Sequence, residues 1–222
     1  MMPDFILPND RERVFIMGRT GSGKSVFAVW LLSHANIDEM PWVILDYKQD
    51  AYLRSIPYHK TLELGHVPRE PGIHIVNVDF KTDDEIVDDY LFSILKRGKC
   101  GLFCDEGTNI PQREPRYRGL KAIFAQGRSK RVPAILATQR PAWINQSVVS
   151  ESDYYAAFHL QKADDRQRAR EFMPEHVENR LDDYHSHWYD VKKDAYFHLG
   201  PVDEAETFER LSVRLKPKVR LI

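Results

Sequence analysis

The sequence predicts a single α/β domain built on a mostly parallel central sheet with helices on both faces. Three observations carry that prediction. Short apolar runs alternate with stretches of helical period, the longest of these runs are only strand-sized, and a glycine-rich loop separates the first run from the first helical stretch. With 222 residues the chain can bury one substantial core and is short for two domains with linkers.

Residues 14–17 form the first apolar run and lead into Gly18; residues 25–32 follow as a helix. Residues 42–45 are a second buried-strand candidate, and an apolar alternation over 73–78 is a third. Thr82, Asp83, Asp84 and Glu85 have capping-box spacing. Behind them Ile86, Val87, Tyr90, Leu91, Ile94 and Leu95 recur at helical period, and Lys96, Arg97 and Gly98 close that helix. Residues 102–104 are a strand ending in Asp105 and Glu106, followed by a loop rich in Pro and Arg and a helix over about 117–130. Residues 134–137 read as a strand ending in Thr138 and Gln139, residues 154–160 as another, and 164–172 as a short helix. Two aromatic-rich strands are expected near Trp188 and Tyr196, ahead of a basic tail. The core then spans about 12–175 and the C-terminal strands and tail about 185–222, with no repeats or low-complexity tracts.

Apolar residues are 42% of the chain and charged residues 29%, an ordinary globular mix. A net charge of −1 means that any polyanion must be met by local patches. Cys100 and Cys104 form no C-x-x-C pair, so reduced thiols in a cytosolic setting are expected. No apolar run is long enough for a membrane span, and the first residues lack a signal-peptide pattern.

Residues 18–25, GRTGSGKS, fit G-x-x-x-x-G-K-[ST]. Glycines let the backbone fold tightly enough for Gly18, Arg19, Thr20, Gly21, Ser22 and Gly23 to turn N–H groups toward phosphate oxygens. The following helix adds its positive end. In such a loop Lys24 reaches the β- and γ-phosphates of ATP, and the Ser25 hydroxyl binds Mg²⁺. Asp105, the first acid at the end of its strand, would hold the same Mg²⁺ through water, and Glu106 would orient and deprotonate an attacking water. Two acids at a strand end are also common as turn or cap residues, and it is the phosphate loop that favours the catalytic reading. Gln139 could sense the γ-phosphate or position the water; the alternative is an ordinary strand exit.

Taken together, GRTGSGKS, LDYKQD with Asp46 and Lys48, LFCDE, and ILATQRP resemble the FtsK/HerA superfamily of DNA-pumping P-loop ATPases, over about 14–172. The resemblance implies a RecA-like fold and ATP hydrolysis coupled to movement of double-stranded DNA by an oligomer, expected to be a hexameric ring. It also implies an arginine finger ten residues before Thr138, at Arg128, which would act on a neighbouring subunit's site. A second family arginine maps to Arg166, with Arg168 and Arg170 close by. No appended anchoring or DNA-reading domain is expected, and the chain looks most like the genome-packaging ATPases of tailless icosahedral viruses with an internal membrane. That likeness implies the host cytoplasm, or the packaging vertex of the virion, and capsid or portal proteins as partners. Alternatives are a cellular or plasmid-borne HerA- or conjugation-type translocase, a filamentous-phage assembly protein, and, in another class, a P-loop small-molecule kinase or nucleotide switch.

Two basic stretches are candidates for DNA. Arg113, Arg116, Arg118, Lys121, Arg128, Lys130 and Arg131 stand against Glu114 alone, and such contacts would be sequence-independent and salt-sensitive. A solvated surface or subunit interface is the alternative. Arg210, Arg214, Lys216, Lys218 and Arg220 mark the end of the chain as a tail that docks on an anionic partner or is simply disordered. His185 and His187 lack a third ligand at metal spacing and read as surface residues, while Trp30, Trp42, Trp143 and Trp188 read as core or interface.

Overall fold

The structure is a computed structural model that describes residues 5–112 and 115–217. Its strands are β1 (Arg13–Met17), β2 (Pro41–Asp46), β3 (Lys60–Leu62), β4 (Gly72–Asn77), β5 (Gly101–Cys104), β6 (Ala134–Thr138), β7 (Tyr154–Ala157), β8 (Ser186–Asp190) and β9 (Ala195–Leu199). The helices are α1 (Lys24–His34), α2 (Ala51–Arg54), α3 (Asp84–Arg97), α4 (Gly119–Lys130), α5 (Gln146–Ser150), α6 (Ala163–Arg170) and α7 (Glu204–Leu215).

All nine strands join one sheet in the order β3-β4-β2-β5-β6-β1-β7-β8-β9. From β3 to β7 every pairing is parallel, and β8 and β9 extend the sheet as an antiparallel hairpin. The central strands β1, β2, β5 and β6 are buried at every position, as unbroken apolar runs covered on both faces must be. Alternation assigns the faces. Phe15 and Met17 of β1 join a core with Leu91 and Ile94 of α3 and Leu120 and Phe124 of α4. Val14 and Ile16 point to the opposite core with Phe27 and Leu31 of α1 and Leu211 of α7.

Local signals were partly overruled. The N-cap of α3 is Asp83, whose side chain makes no cap hydrogen bond, so the expected box beginning at Thr82 does not form. The helix does end as expected, at Gly98 with φ 64°, directly after Lys96 and Arg97. The strand expected over 154–160 stops at Ala157, because Phe158, His159 and Leu160 turn to line the phosphate-loop edge.

The basic tail needs the largest correction. Residues 204–215 are helix α7, capped by the Asp203 carboxylate accepting from the Glu206 N–H. Arg214 donates to the Ser33 carbonyl at 2.8 Å and pairs with Asp38, while Arg210 pairs with Glu206 at 2.5 Å and contacts His34. These bases are therefore committed to holding α7 on α1; Lys218 and Arg220 lie outside the described residues. His187 is also corrected: it is 3% exposed and bonded to the Tyr196 hydroxyl and, at 3.2 Å, to the Asn179 carbonyl. Among the described residues no helix is long and apolar enough to cross a membrane.

Candidate nucleotide site

The loop between β1 and α1 is suspended from the ends of the two strands that flank β1. The Gly18 N–H donates to the Thr138 carbonyl at 3.2 Å and the Arg19 N–H to the His159 carbonyl at 2.9 Å. A Cβ on Gly18 would stand 2.6 Å from Phe158 Cβ and 2.7 Å from Ser22 Oγ, so only a bare backbone fits. Gly23 precedes α1 at φ 98°, in the left-handed region that glycine tolerates. Lys24 is 6% exposed and donates to the Arg19 carbonyl at 2.9 Å, bridging the loop. Burial pushes its ammonium down to about 8, with Lys48 adding to the shift and Glu106 and Asp105 opposing it.

The two acids arrive from β5, which is not a neighbour of β1. β6 lies between them and sets Thr138 and Gln139 across the gap. The Ser25 hydroxyl donates to Asp105 Oδ1 at 2.6 Å, joining the loop to the first acid. Glu106 accepts at Oε1 from the Thr108 and Thr138 hydroxyls, at 2.9 and 3.2 Å, and from the Gln139 N–H at 3.3 Å. Its Oε2 accepts from Gln139 Nε2 at 2.9 Å and faces Lys48 Nζ at 3.1 Å. Burial opposes ionisation of this carboxylate, but the Lys48 ammonium and these donors outweigh it and hold its pKa below the usual range. The Thr20 hydroxyl donates to Gln139 Oε1, so one polar chain runs from the phosphate loop through Gln139 to Glu106 and Lys48.

Asp46 and Lys48, a pair by sequence, separate in space. Lys48 lies 3.5 Å from Asp105 Oδ2 as well as beside Glu106, and Asp105 and Glu106 raise its pKa against the effect of burial. Asp46 is fully buried and accepts from the Asp50 N–H at 3.1 Å, which fixes the turn into α2. Burial lifts its pKa.

The arginines fall at opposite edges of the sheet. Arg166 reaches the edge of the phosphate loop, where its guanidinium donates to the Leu160 and Gln161 carbonyls at 3.3 and 2.8 Å. Arg128 ends α4 near the start of β6 and pairs with Asp153, immediately before β7. It is at the far end of a five-residue strand, roughly 16 Å from the loop. Arg168 and Arg170 pair with Glu171 and Glu178. Arg140, to which the sequence reading gave no role, holds Asp165 at 2.9 Å and Asp164 at 2.7 Å and lies 4.2 Å over the Trp143 ring, anchoring α6 to the strand exit. The adjacent acids opening α6 were the signal for it.

Oxygen donors at Ser25 and Asp105 suit Mg²⁺, which is bound by one or two carboxylates with waters and substrate phosphates completing its shell. Among the described residues no group of three His, Cys, Asp or Glu is placed to hold a metal ion.

No family model matches the chain. The DNA packaging ATPase P9 of Enterobacteria phage PRD1 is 35% identical to it over 210 residues, which cover 90% of this chain and 91% of that protein. The chain belongs to the viral DNA-packaging ATPases of FtsK/HerA type. Solved structures agree in fold for this packaging-ATPase chain. The genome packaging NTPase B204 of Sulfolobus turreted icosahedral virus 2, in complex with ATP-gammaS, superposes with a TM-score of 0.69 at 19% identity, covering 88% of this chain and all of that one. Its AMPPCP complex gives 0.71 at 18% identity, with the same coverage. EccC of Thermomonospora curvata (ATPases 2 and 3) gives 0.60 at 13% identity, with 92% of this chain matching 41% of that one.

Proposed function

We infer that this chain hydrolyses ATP to drive double-stranded DNA into a viral capsid. One observation carries the reading: a complete P-loop is joined by Ser25 to Asp105, and by Thr20 and Gln139 to Glu106, in a chain 35% identical to a DNA packaging ATPase. The kinase or switch alternative has no comparable support.

The geometry supports the following roles. The N–H groups of residues 18–23 and the start of α1 cradle the phosphates, and Lys24 exchanges the Arg19 carbonyl for β- and γ-phosphate oxygens. Ser25 and Asp105 would hold Mg²⁺, which would supply positive charge against that developing on the phosphate. Glu106, kept ionised by Lys48 and its hydroxyl and amide donors, accepts a proton from the attacking water. Gln139 touches both the loop and Glu106 and so reports whether the γ-phosphate is present. Arg128 completes the site of a neighbouring subunit, which requires an oligomer, and we take this to be a hexameric ring working in the host cytoplasm or at the packaging vertex, with capsid or portal proteins as docking partners. Arg166, tied to backbone carbonyls at the loop edge, positions that edge.

DNA phosphates would meet the open groove of about 830 Å³ beside Arg118 and Lys121, which also takes in Tyr117 and Gln126. Arg113 and Glu114 lie outside the described residues.

The test is the ATPase rate with and without duplex DNA, for the wild type and Glu106→Gln. The expected result is a rate that rises with DNA and falls roughly 10²–10⁴-fold in the variant while ATP binding persists. Hydrolysis indifferent to DNA and to Glu106 would overturn the reading.

A further inference from the structure

A single buried amide joins the turn that carries Glu106 to the wall of the open groove. Gln112 is 6% exposed; its Nε2 donates to the Gly107 carbonyl at 2.7 Å, and its Oε1 accepts from the Asn145 N–H at 3.1 Å. The same residue lines the groove of about 830 Å³ beside Tyr117, Arg118 and Lys121. We propose that Gln112 is a positioning residue for hydrolysis, a clamp through which duplex DNA in the groove sets Glu106. The proposal rests on reading the groove as the DNA surface and Glu106 as the base that takes the water's proton.

The clamp closes on both segments that surround the reacting water. Gly107 follows Glu106 directly and is pressed onto β6, where an added Cβ would stand 2.8 Å from Leu136 Cδ1. Its carbonyl takes Gln112 Nε2 and, at 3.2 Å, the Ile110 N–H. One side of the Glu106 turn is thus fixed by β6 and the other by Gln112. Asn145 ends the stretch that leaves β6 through Gln139, and its side chain caps α5 by accepting from the Ser147 N–H at 3.0 Å. Gln112 therefore spans the exits of β5 and β6. The 2.9 Å contact between Gln139 and Glu106 depends on those exits keeping their spacing.

The amide of Gln112 makes its bonds inside the protein, whereas the cations for phosphate on the same wall are Arg118 and Lys121. DNA drawn onto those cations covers the Gln112 end of the groove. Water that competes for the Gly107 and Asn145 bonds is excluded, and the fraction of chains with the clamp shut rises. Such a differential contact is what a ligand needs in order to shift a conformational equilibrium. A displacement on the order of 1 Å at a reacting group is enough to change a rate about 10²-fold.

The experiment measures ATPase rate at saturating ATP across a titration of blunt-ended duplex DNA, together with KM for ATP and Kd for the labelled duplex. In the wild type DNA raises kcat. Gln112→Ala removes the clamp, and Gln112→Glu keeps its size and acceptor but loses the donor to Gly107. In both, kcat with saturating DNA should fall to within about twofold of the rate without DNA, while KM and Kd stay within about threefold of wild type. A merely weakened fold would lower both rates together and leave their ratio intact. Lys121→Ala is the opposite case: Kd for DNA rises, and saturating DNA still stimulates. Should the Gln112 variants not fold, Asn145 decides. Its φ of −56° and ψ of 130° admit proline, and Ile144 before it is extended, so Asn145→Pro deletes the N–H and the α5 cap while Asn145→Ala deletes the cap alone. Proline should abolish stimulation and alanine keep it. Wild-type stimulation in the Gln112 variants or in Asn145→Pro, equal losses in both Asn145 variants, or a loss that saturating DNA restores overturns the clamp and leaves the DNA motor standing. A wild type whose hydrolysis ignores DNA removes the motor reading, and the clamp with it.

Discussion

Replacing Arg128 with alanine separates a structural from a catalytic arginine, because the two predict opposite magnitudes. The Arg128 side chain is 60% exposed and pairs with Asp153, an interaction worth about 0–1 kcal/mol at such a surface. Asp153 does not lose its charge partner in the variant, since Arg13 still donates to it from Nε at 2.8 Å and from its backbone N–H at 2.9 Å. The melting temperature should therefore fall by less than about 4 °C. If Arg128 stabilises transition-state charge in a neighbouring site, however, kcat should fall by roughly 10³–10⁵. Reach dictates that the effect is in trans, because a five-residue strand separates Arg128 from the loop of its own subunit. Mixing Arg128→Ala with Lys24→Ala subunits in equal amounts tests this. Random assembly makes about a quarter of the interfaces intact, so about a quarter of wild-type activity should return if the sites fire independently. No recovery on mixing, with both variants folded and assembled, or near-normal activity of Arg128→Ala alone, refutes the assignment.

Three further outcomes follow from the site and the core. If Lys24 grips phosphate as proposed, it does so only while protonated, and burial brings its pKa down to about 8. kcat/KM, which reports the free enzyme, should fall as pH rises through that value, while kcat declines only at higher pH because bound phosphate restores the charge; a kcat/KM profile flat to about pH 10 counts against it. Asp153→Ala leaves the buried Arg13, which is 4% exposed, without its counter-charge and with only its bond to the Phe124 carbonyl, and should cost about 3–5 kcal/mol in denaturant unfolding, far more than Arg128→Ala. Gly101→Ala drives a Cβ into the buried Trp42 ring on the neighbouring strand and should destabilise by about 1–3 kcal/mol, read as a lowered denaturation midpoint at unchanged slope.

What could be read from the sequence was local. GRTGSGKS, the acids after an apolar run and ATQRP are contiguous, and each folds into the element that its own residues specify. Non-local placement was not legible. Nothing in the order of the chain says that β6 inserts between β5 and β1, which is what brings Gln139 within 2.9 Å of Glu106. Nothing adjacent to Asp46 and Lys48 says that one braces a turn and the other faces both acids. Helix α7 was legible in principle, since Thr207, Leu211 and Leu215 recur at helical spacing, but counting charges hid the period.

The arrangement also constrains how copies of the chain can meet. The phosphate loop, Glu106 and Gln139 sit at the carboxyl ends of the parallel strands, whereas Arg128 lies at their amino ends. For Arg128 to enter another copy's site, the amino edge of one sheet must meet the carboxyl edge of the next. That contact is heterologous: the two surfaces differ, and each subunit keeps one of each unsatisfied until the series closes. Head-to-tail contacts of this kind end as a ring or continue as a filament, so a trans arginine at this position would require head-to-tail assembly, and a closed ring is the form that leaves no site incomplete. The Asp153 pairing fits it. If Arg128 is the trans arginine proposed above, exchanging the Asp153 carboxylate for the neighbour's γ-phosphate would couple hydrolysis to the contact between subunits.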